Sequence, residues 1–136
     1  MSERLEVLLL DDEPIVGKRL KPALEKLGCN VEVFENPRLA LERFAQKDFD
    51  IVVTDIRMDE IDGIQVLEEV RKKSERTKVI MITGYAMMSV AREAMEKGAF
   101  DFISKPFNPD DLRRVVTKAA HSLGYSMDSE AAKVAT

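Results

Sequence analysis

The sequence predicts an α/β fold: one parallel sheet of five strands with helices on both faces, a three-layer sandwich. Three observations carry this. Short apolar runs alternate five times with longer stretches of helical period. Three of those runs hold an unbroken apolar stretch, as strands covered on both faces must, and two alternate apolar with polar, as half-exposed strands do. Helix-start and helix-stop residues also fall between the runs, at the places where the pattern changes.

Taken in order, the first run, 5–10, contains Val7-Leu8-Leu9-Leu10 and reads as a buried strand. A helix over 14–27 follows, opening on Pro14; Gly17 and Pro22 fall inside it, and Pro22 predicts a kink because it removes a hydrogen bond and crowds the preceding turn. Gly28 stands where a left-handed helix stop is expected. The second strand, 31–34, alternates as Val31-Glu32-Val33-Phe34. Asn36-Pro37 then places a capping Asn before a Pro whose missing N–H costs nothing at the first helical position. Strands at 51–54 and 79–82 are again apolar without a break over Ile51-Val52-Val53 and Val79-Ile80-Met81-Ile82, and a helix is expected over about 86–97. Gly98 stops it, and the fifth strand, 100–103, alternates as Phe100-Asp101-Phe102-Ile103. Asn108-Pro109 opens the last helix, whose Leu112, Val115, Val116, Ala119, Ala120 and Leu123 form one apolar stripe ending at Gly124. The alternating second and fifth strands belong at the edges. With right-handed crossovers the simplest arrangement is a flavodoxin-like (βα)5 sheet in the order 2-1-3-4-5.

Composition narrows the function. The 136 residues leave room for one domain, 1–123, with 124–136 read as a C-terminal tail or linker remnant. Cys29 is the only cysteine, so there is no internal disulfide and no cysteine-based zinc site, which fits the cytoplasm. Apolar runs are too short for a membrane span, and the N-terminus lacks a signal-peptide core. Lys and Arg total 21 against 25 Asp and Glu, a net charge of −4 that disfavours direct nucleic-acid binding by this chain. Cys29 reads as a small buried apolar group, the methionines Met81, Met87, Met88 and Met95 as filler and helix-face contacts, and His121 as a charge near a helix C-terminus. Arg113, Arg114 and Lys118 face away from the stripe of the last helix and read as solvated.

In such a sheet the binding crevice lies beyond the carboxyl ends of the strands. Strand one ends in Asp11-Asp12-Glu13, strand three in Asp55, strand four in Thr83 and strand five in Lys105-Pro106. Asp11, Asp12 and Asp55 bring −3 and Lys105 returns +1, so a divalent cation is needed to hold all three carboxylates ionised. Oxygen ligands without His or Cys favour a hard ion, Mg²⁺. Neither a G-x-x-x-x-G-K-[ST] nor a G-x-G-x-x-G loop occurs, which argues against a nucleotide or flavin site. Phosphoryl transfer remains: it needs an in-line nucleophile, a metal, a cation for the equatorial oxygens and a hydrogen-bond donor, and Asp55, Mg²⁺, Lys105 and Thr83 supply them.

Together, Leu8-Leu9-Leu10-Asp11-Asp12-Glu13-Pro14, Val53-Thr54-Asp55-Ile56-Arg57-Met58, Asp62-Gly63, Thr83-Gly84 and Lys105-Pro106-Phe107 resemble the receiver domain of bacterial two-component response regulators, over about residues 5–123. Thr83-Gly84-Tyr85-Ala86 and Gly98-Ala99-Phe100-Asp101-Phe102 look most like the receivers of enhancer-binding transcriptional activators. The resemblance implies a switch that is not an enzyme beyond slow self-phosphorylation and self-dephosphorylation. It implies that Asp55 accepts a phosphoryl group from a sensor histidine kinase, that Asp12 binds Mg²⁺ directly and Asp11 largely through water, and that the Arg57 backbone carbonyl completes the ligands. It implies further that Thr83 and Lys105 meet the phosphoryl oxygens, that Phe102 is an aromatic switch, and that Lys105-Pro106 is cis. The face made by helix four, strand five and helix five would then control an output protein or domain, with a phosphorylation-dependent homodimer as one form of output.

Asp59 stands where many relatives carry proline and Phe102 where tyrosine is common; Arg57 and Tyr85 occupy positions that tune the lifetime of the aspartyl phosphate. Two rivals are weighed. A Mg-dependent phosphatase of the haloacid dehalogenase type would need an Asp-x-Asp run after strand one, where this chain has Asp11-Asp12-Glu13, and a further acidic pair after strand four, where it has Thr83-Gly84-Tyr85. The other is the receiver portion of a longer activator carrying ATPase and DNA-binding parts.

Overall fold

A computed structural model describes residues 4–58, 61–84 and 88–125. Five strands and five helices alternate: β1 (Leu5–Leu10), α1 (Pro14–Glu25), β2 (Cys29–Phe34), α2 (Pro37–Gln46), β3 (Ile51–Asp55), α3 (Gly63–Lys73), β4 (Lys78–Thr83), α4 (Met88–Glu96), β5 (Asp101–Ser104) and α5 (Pro109–Ser122). All strands are parallel, in the order β2-β1-β3-β4-β5. The flavodoxin-like (βα)5 expectation therefore holds, including its two edge strands.

Period-two alternation divides the core between two faces. Val7, Leu9, Ile51, Val53, Ile80 and Ile82 point to the side covered by α1 and α5, where Leu20, Leu24, Leu112 and Val116 meet them. Leu8, Leu10, Val52, Val79 and Met81 point to the other, under Phe44 of α2, Leu67 and Val70 of α3, and Ala91 and Ala94 of α4. Cys29 is 1% exposed within the first cluster, and burial pushes its thiol up to about 12, so it is a packing residue rather than a reactive one.

Strand limits differ slightly from the apolar pattern. β2 begins at Cys29 rather than 31, β3 runs on to Asp55, β4 spans Lys78–Thr83, and β5 is shifted by one residue to Asp101–Ser104. Ladder hydrogen bonds join backbone groups whatever the side chain, so pairing continues through Asp55, Lys78 and Ser104, which no apolar pattern marks.

Helix ends follow their capping chemistry. The Asn36 side chain accepts from the backbone N–H groups of Arg38 and Leu39, and Asn108 and Asp111 form a reciprocal capping box, as do Asp62 and Gln65. Gly28, Gly98 and Gly124 have φ of 91°, 104° and 91°, the left-handed stops expected of them. α1 ends at Glu25 rather than 27 and runs without interruption through Pro22, which lies in its final turn. Met95 and His121 are exposed, and Arg113 and Arg114 pair with Asp110 and Asp111 within α5. The expected roles of Asp59, Tyr85 and Met87, and of the segment 126–136, lie outside the described residues, as does the side chain of Met88.

Two packing details go beyond the apolar pattern. Tyr125, which the sequence groups with the tail, is tied to the N-terminal end of the sheet: its hydroxyl donates to Asp50 Oδ1 (3.0 Å), which Arg76 also pairs with (2.6 Å). Gly17 lets α1 lie close to β2, since a Cβ there would stand 2.6 Å from Val33 Cγ1. Alanine at 17 gains helix propensity of about 0.5–1 kcal/mol, but overpacking against a stiff β-branched side chain costs about 1–3 kcal/mol. Gly17→Ala is expected to lower stability by about 1–2 kcal/mol net, read as a lower urea midpoint with an unchanged slope.

Candidate functional site

The strand order brings Asp11, Asp12, Asp55, Thr83 and Lys105 to one rim at the carboxyl end of the sheet. Asp11 directly follows β1, and its N–H still donates to Phe34 O (3.1 Å), extending the ladder by one bond. Its carboxylate is buried. Oδ1 accepts the Glu13 N–H (2.9 Å), whereas Oδ2 has no hydrogen-bond partner and lies 3.6 Å from Lys105 Nζ. Asp55 closes β3 at 6% exposure; its Oδ1 accepts the Arg57 N–H (3.0 Å) and its Oδ2 accepts from Lys105 Nζ (3.0 Å). Asp12 is exposed, and one carboxylate oxygen from each of Asp11, Asp12 and Asp55 lies within 4.8 Å of the others.

Lys105 spans the rim. Its N–H donates to Thr83 O (2.7 Å), its bond to Pro106 is cis, and its Nζ reaches both Asp55 and Glu13 Oε1 (3.0 Å). Burial pulls the Lys105 pKa down, but bonds to Asp55 and Glu13, with the charges of Asp55 and Asp11, raise it on balance above the ordinary lysine value. Burial has the opposite consequence for Asp11: it pushes the carboxyl up to about 6, reinforced by the Asp55 charge and opposed by the Glu13 N–H and Lys105.

These residues fit a hard divalent cation. The donors are oxygens only, they converge, and one buried carboxylate oxygen lacks a hydrogen-bond partner. Asp11 is thus a buried acid whose ionisation calls for a positive charge that Lys105 alone does not place within hydrogen-bond reach.

Thr83 ends β4, is fully buried, and donates its hydroxyl to the Gly84 carbonyl (3.0 Å). Pairing of Met81 with Phe102 and of Thr83 with Ser104 puts Thr83 and Phe102 on the same sheet face, two residues apart in register. Phe102 is half-buried against the cluster under α2, α3 and α4.

Two features of the rim have no counterpart in the sequence reading of roles. Gly63 opens α3 against the end of β3: its N–H donates to Ile56 O (2.7 Å), and a Cβ would stand 2.5 Å from Asp55 O and 2.7 Å from Ile56 Cα. Glu13 is the N-cap of α1, yet its side chain caps nothing. It crosses to Lys105, and the signal available in sequence was only that Glu is a poor capping residue.

Residues 7–117 match the family model described as the response regulator receiver domain. The chain belongs to that family. Among curated relatives, Regulatory protein AtoC of Escherichia coli (strain K12) is 42% identical over 113 residues, 83% of this chain and 24% of that protein. Transcriptional regulatory protein ZraR of the same organism is 34% identical over 129 residues, 94% of this chain and 29% of that protein. This receiver domain thus spans about a quarter of the length of those relatives. Among solved structures, a CheY-like receiver domain protein from Methanospirillum hungatei JF-1 aligns with a TM-score of 0.85 at 27% identity, covering 90% of this chain and 98% of that one. A receiver domain protein from Clostridium thermocellum aligns at 0.83 and 29% identity, covering 87% and 95%. The haloacid dehalogenase reading finds no support beside this membership.

Proposed function

We propose that this receiver domain is a Mg²⁺-dependent phospho-accepting switch, and that Asp55 takes the phosphoryl group from a phosphohistidine of a sensor kinase. The observation that carries the reading is the Lys105 ammonium 3.0 Å from Asp55 Oδ2, at the edge of a three-carboxylate cluster. An Asp55 oxygen attacks phosphorus in line, the bond to the histidine nitrogen breaks, and the imidazole leaves with the electron pair. Lys105 absorbs charge developing on the equatorial oxygens. Asp11, Asp12, Asp55 and the Arg57 backbone carbonyl are the groups to hold Mg²⁺, which would supply the positive charge that the phosphoryl oxygens and the acids share.

In this reading the switch follows from a change of hydrogen-bond partner. The Thr83 hydroxyl, now spent on Gly84 O, turns to a phosphoryl oxygen, and Phe102 on the same sheet face repacks inward. The face of α4, β5 and α5 then changes its affinity for an output protein or domain, or for a second copy of the chain. Phosphorylation shifts that balance only by its differential stabilisation of the two states. The exposed Arg57 side chain tunes how long the phosphoryl group survives.

Membership of the family, and relatives that are a regulatory protein and a transcriptional regulatory protein, favour transcriptional control exerted through an output protein or domain. Direct nucleic-acid contact is not assigned to this domain, whose charge is −4. No helix among the described residues is long and apolar enough to cross a membrane. The receiver unit in this reading is 1–123, and Tyr125, just past it, is joined to the sheet through its hydroxyl on Asp50 Oδ1.

Acetyl phosphate with Mg²⁺ tests the reading. Intact-mass spectra are expected to show one added PO₃ on the wild type and none on Asp55→Asn. Lys105→Ala is expected to slow the reaction by about 10²-fold, the scale for losing a charged donor at the transition state. An adduct that persists on Asp55→Asn rejects it.

A further inference from the structure

Glu13 spends its carboxylate in an unusual way. It stands at the N-cap of α1, where a short polar side chain would bond the free N–H groups of the first turn, and it makes no such bond. Instead Oε1 lies 3.0 Å from Lys105 Nζ, so the lysine that reaches Asp55 among the described residues is divided between Asp55 and an exposed acid. Glu13 is 60% exposed and Asp55 9% exposed by side chain, so the two acids hold Lys105 from the outside and the inside of the rim. Beside this ion pair opens a hollow of about 260 Å³ lined by Glu13, Val16, Arg19, Lys105 and Phe107. A phospho-donor that meets Lys105 at Asp55 comes under the field of Glu13, which is bonded to the same ammonium, while Arg19 lines the hollow beside Glu13.

We propose that Glu13 is a positioning residue for Lys105 and an electrostatic gate that selects phospho-donors by charge. The inference rests on the reading of Asp55 as phospho-acceptor. Glu13 draws Lys105 outward in the resting domain and adds one negative charge at the entrance. A dianionic donor such as acetyl phosphate is therefore penalised more than phosphoramidate, which carries one net negative charge at neutral pH. With acetyl phosphate, the new bond joins an Asp55 oxygen to phosphorus and acetate leaves with the electrons of the broken P–O bond. With phosphoramidate the P–N bond breaks and ammonia leaves. The chemistry at Asp55 is the same, so the ratio of the two rates reports the field at the entrance.

Phosphorylation rates of the wild type, Glu13→Gln and Glu13→Asp, each with acetyl phosphate and with phosphoramidate at low and high salt, test the gate. Glu13→Gln is expected to speed the acetyl phosphate reaction by about three- to tenfold, the scale of one unit charge at several ångströms in a wet site, and phosphoramidate by less. The gain shrinks in high salt. Glu13→Asp keeps the charge and is expected to keep the wild-type ratio of donors. In the metal-free protein, where no phosphorylation occurs, the Lys105 εCH₂ resonance is expected to shift in Glu13→Gln while the melting temperature stays within a few degrees. Equal acceleration with both donors, a salt-independent change, or an unmoved Lys105 resonance overturns the gate and leaves the Asp55 reading standing. A wild type that takes no phosphoryl group from either donor overturns both.

Discussion

Asp11→Asn is expected to stabilise the metal-free domain by on the order of 2–3 kcal/mol at pH 7.5, and to abolish the further stabilisation that the proposed Mg²⁺ site would give the wild type. A buried carboxyl with its pKa raised from 3.8 to about 6 binds a proton more readily folded than unfolded. Stability from this group is complete below about pH 4 and is lost as pH rises through about 6, the reverse of the usual surface carboxylate. Asparagine keeps the acceptor for the Glu13 N–H without the charge. The gap between variant and wild type in urea midpoint is thus expected to close on going from pH 7.5 to pH 4. A gap independent of pH would show that the Asp11 charge is not what the fold tolerates at this rim. In the proposed reading, the charge that weakens the metal-free domain is the one that would hold the divalent cation, so function would be held at a cost in stability.

Gly63→Ala is expected to be the most damaging single-methyl change at the site. The added Cβ meets a carbonyl oxygen at 2.5 Å and a backbone Cα at 2.7 Å, neither of which can turn aside as a side chain can. The end of β3 or the start of α3 must move, at a cost of about 3 kcal/mol or more. Because the displaced oxygen belongs to Asp55, the proposed phospho-acceptor moves with it. A misplacement of about 1 Å costs about 10²-fold in rate. Urea unfolding and the acetyl phosphate rate should therefore fall together. A variant of wild-type stability that phosphorylates normally contradicts the close approach of α3 to β3.

Sheet order was legible because burial on two faces and on one face leave different patterns, as in Val7-Leu8-Leu9-Leu10 against Val31-Glu32-Val33-Phe34. Strand limits were less so, since backbone pairing runs on through polar residues such as Lys78 and Ser104. The acids, the threonine and the lysine were legible as a group because each ends a strand, and strand ends in a parallel sheet share a rim. The tie between Glu13 and Lys105 was not, because it joins residues 92 apart through a side chain whose local role would have been to cap a helix. The need for glycine at 63 was likewise hidden, as it arises from the distance between α3 and β3 rather than from any turn the sequence marks. The attachment of Tyr125 was hidden for a similar reason: its partner Asp50 is 75 residues away along the chain.

Borohydride trapping of the phosphorylated protein tests the central claim most directly, since reduction of an aspartyl phosphate leaves homoserine at the residue that carried it. After reaction with acetyl phosphate and Mg²⁺, tandem mass spectra of the digested domain are predicted to place homoserine at position 55 alone. Homoserine at 11 or 12, or none in a sample whose intact mass shows the added PO₃, contradicts the account.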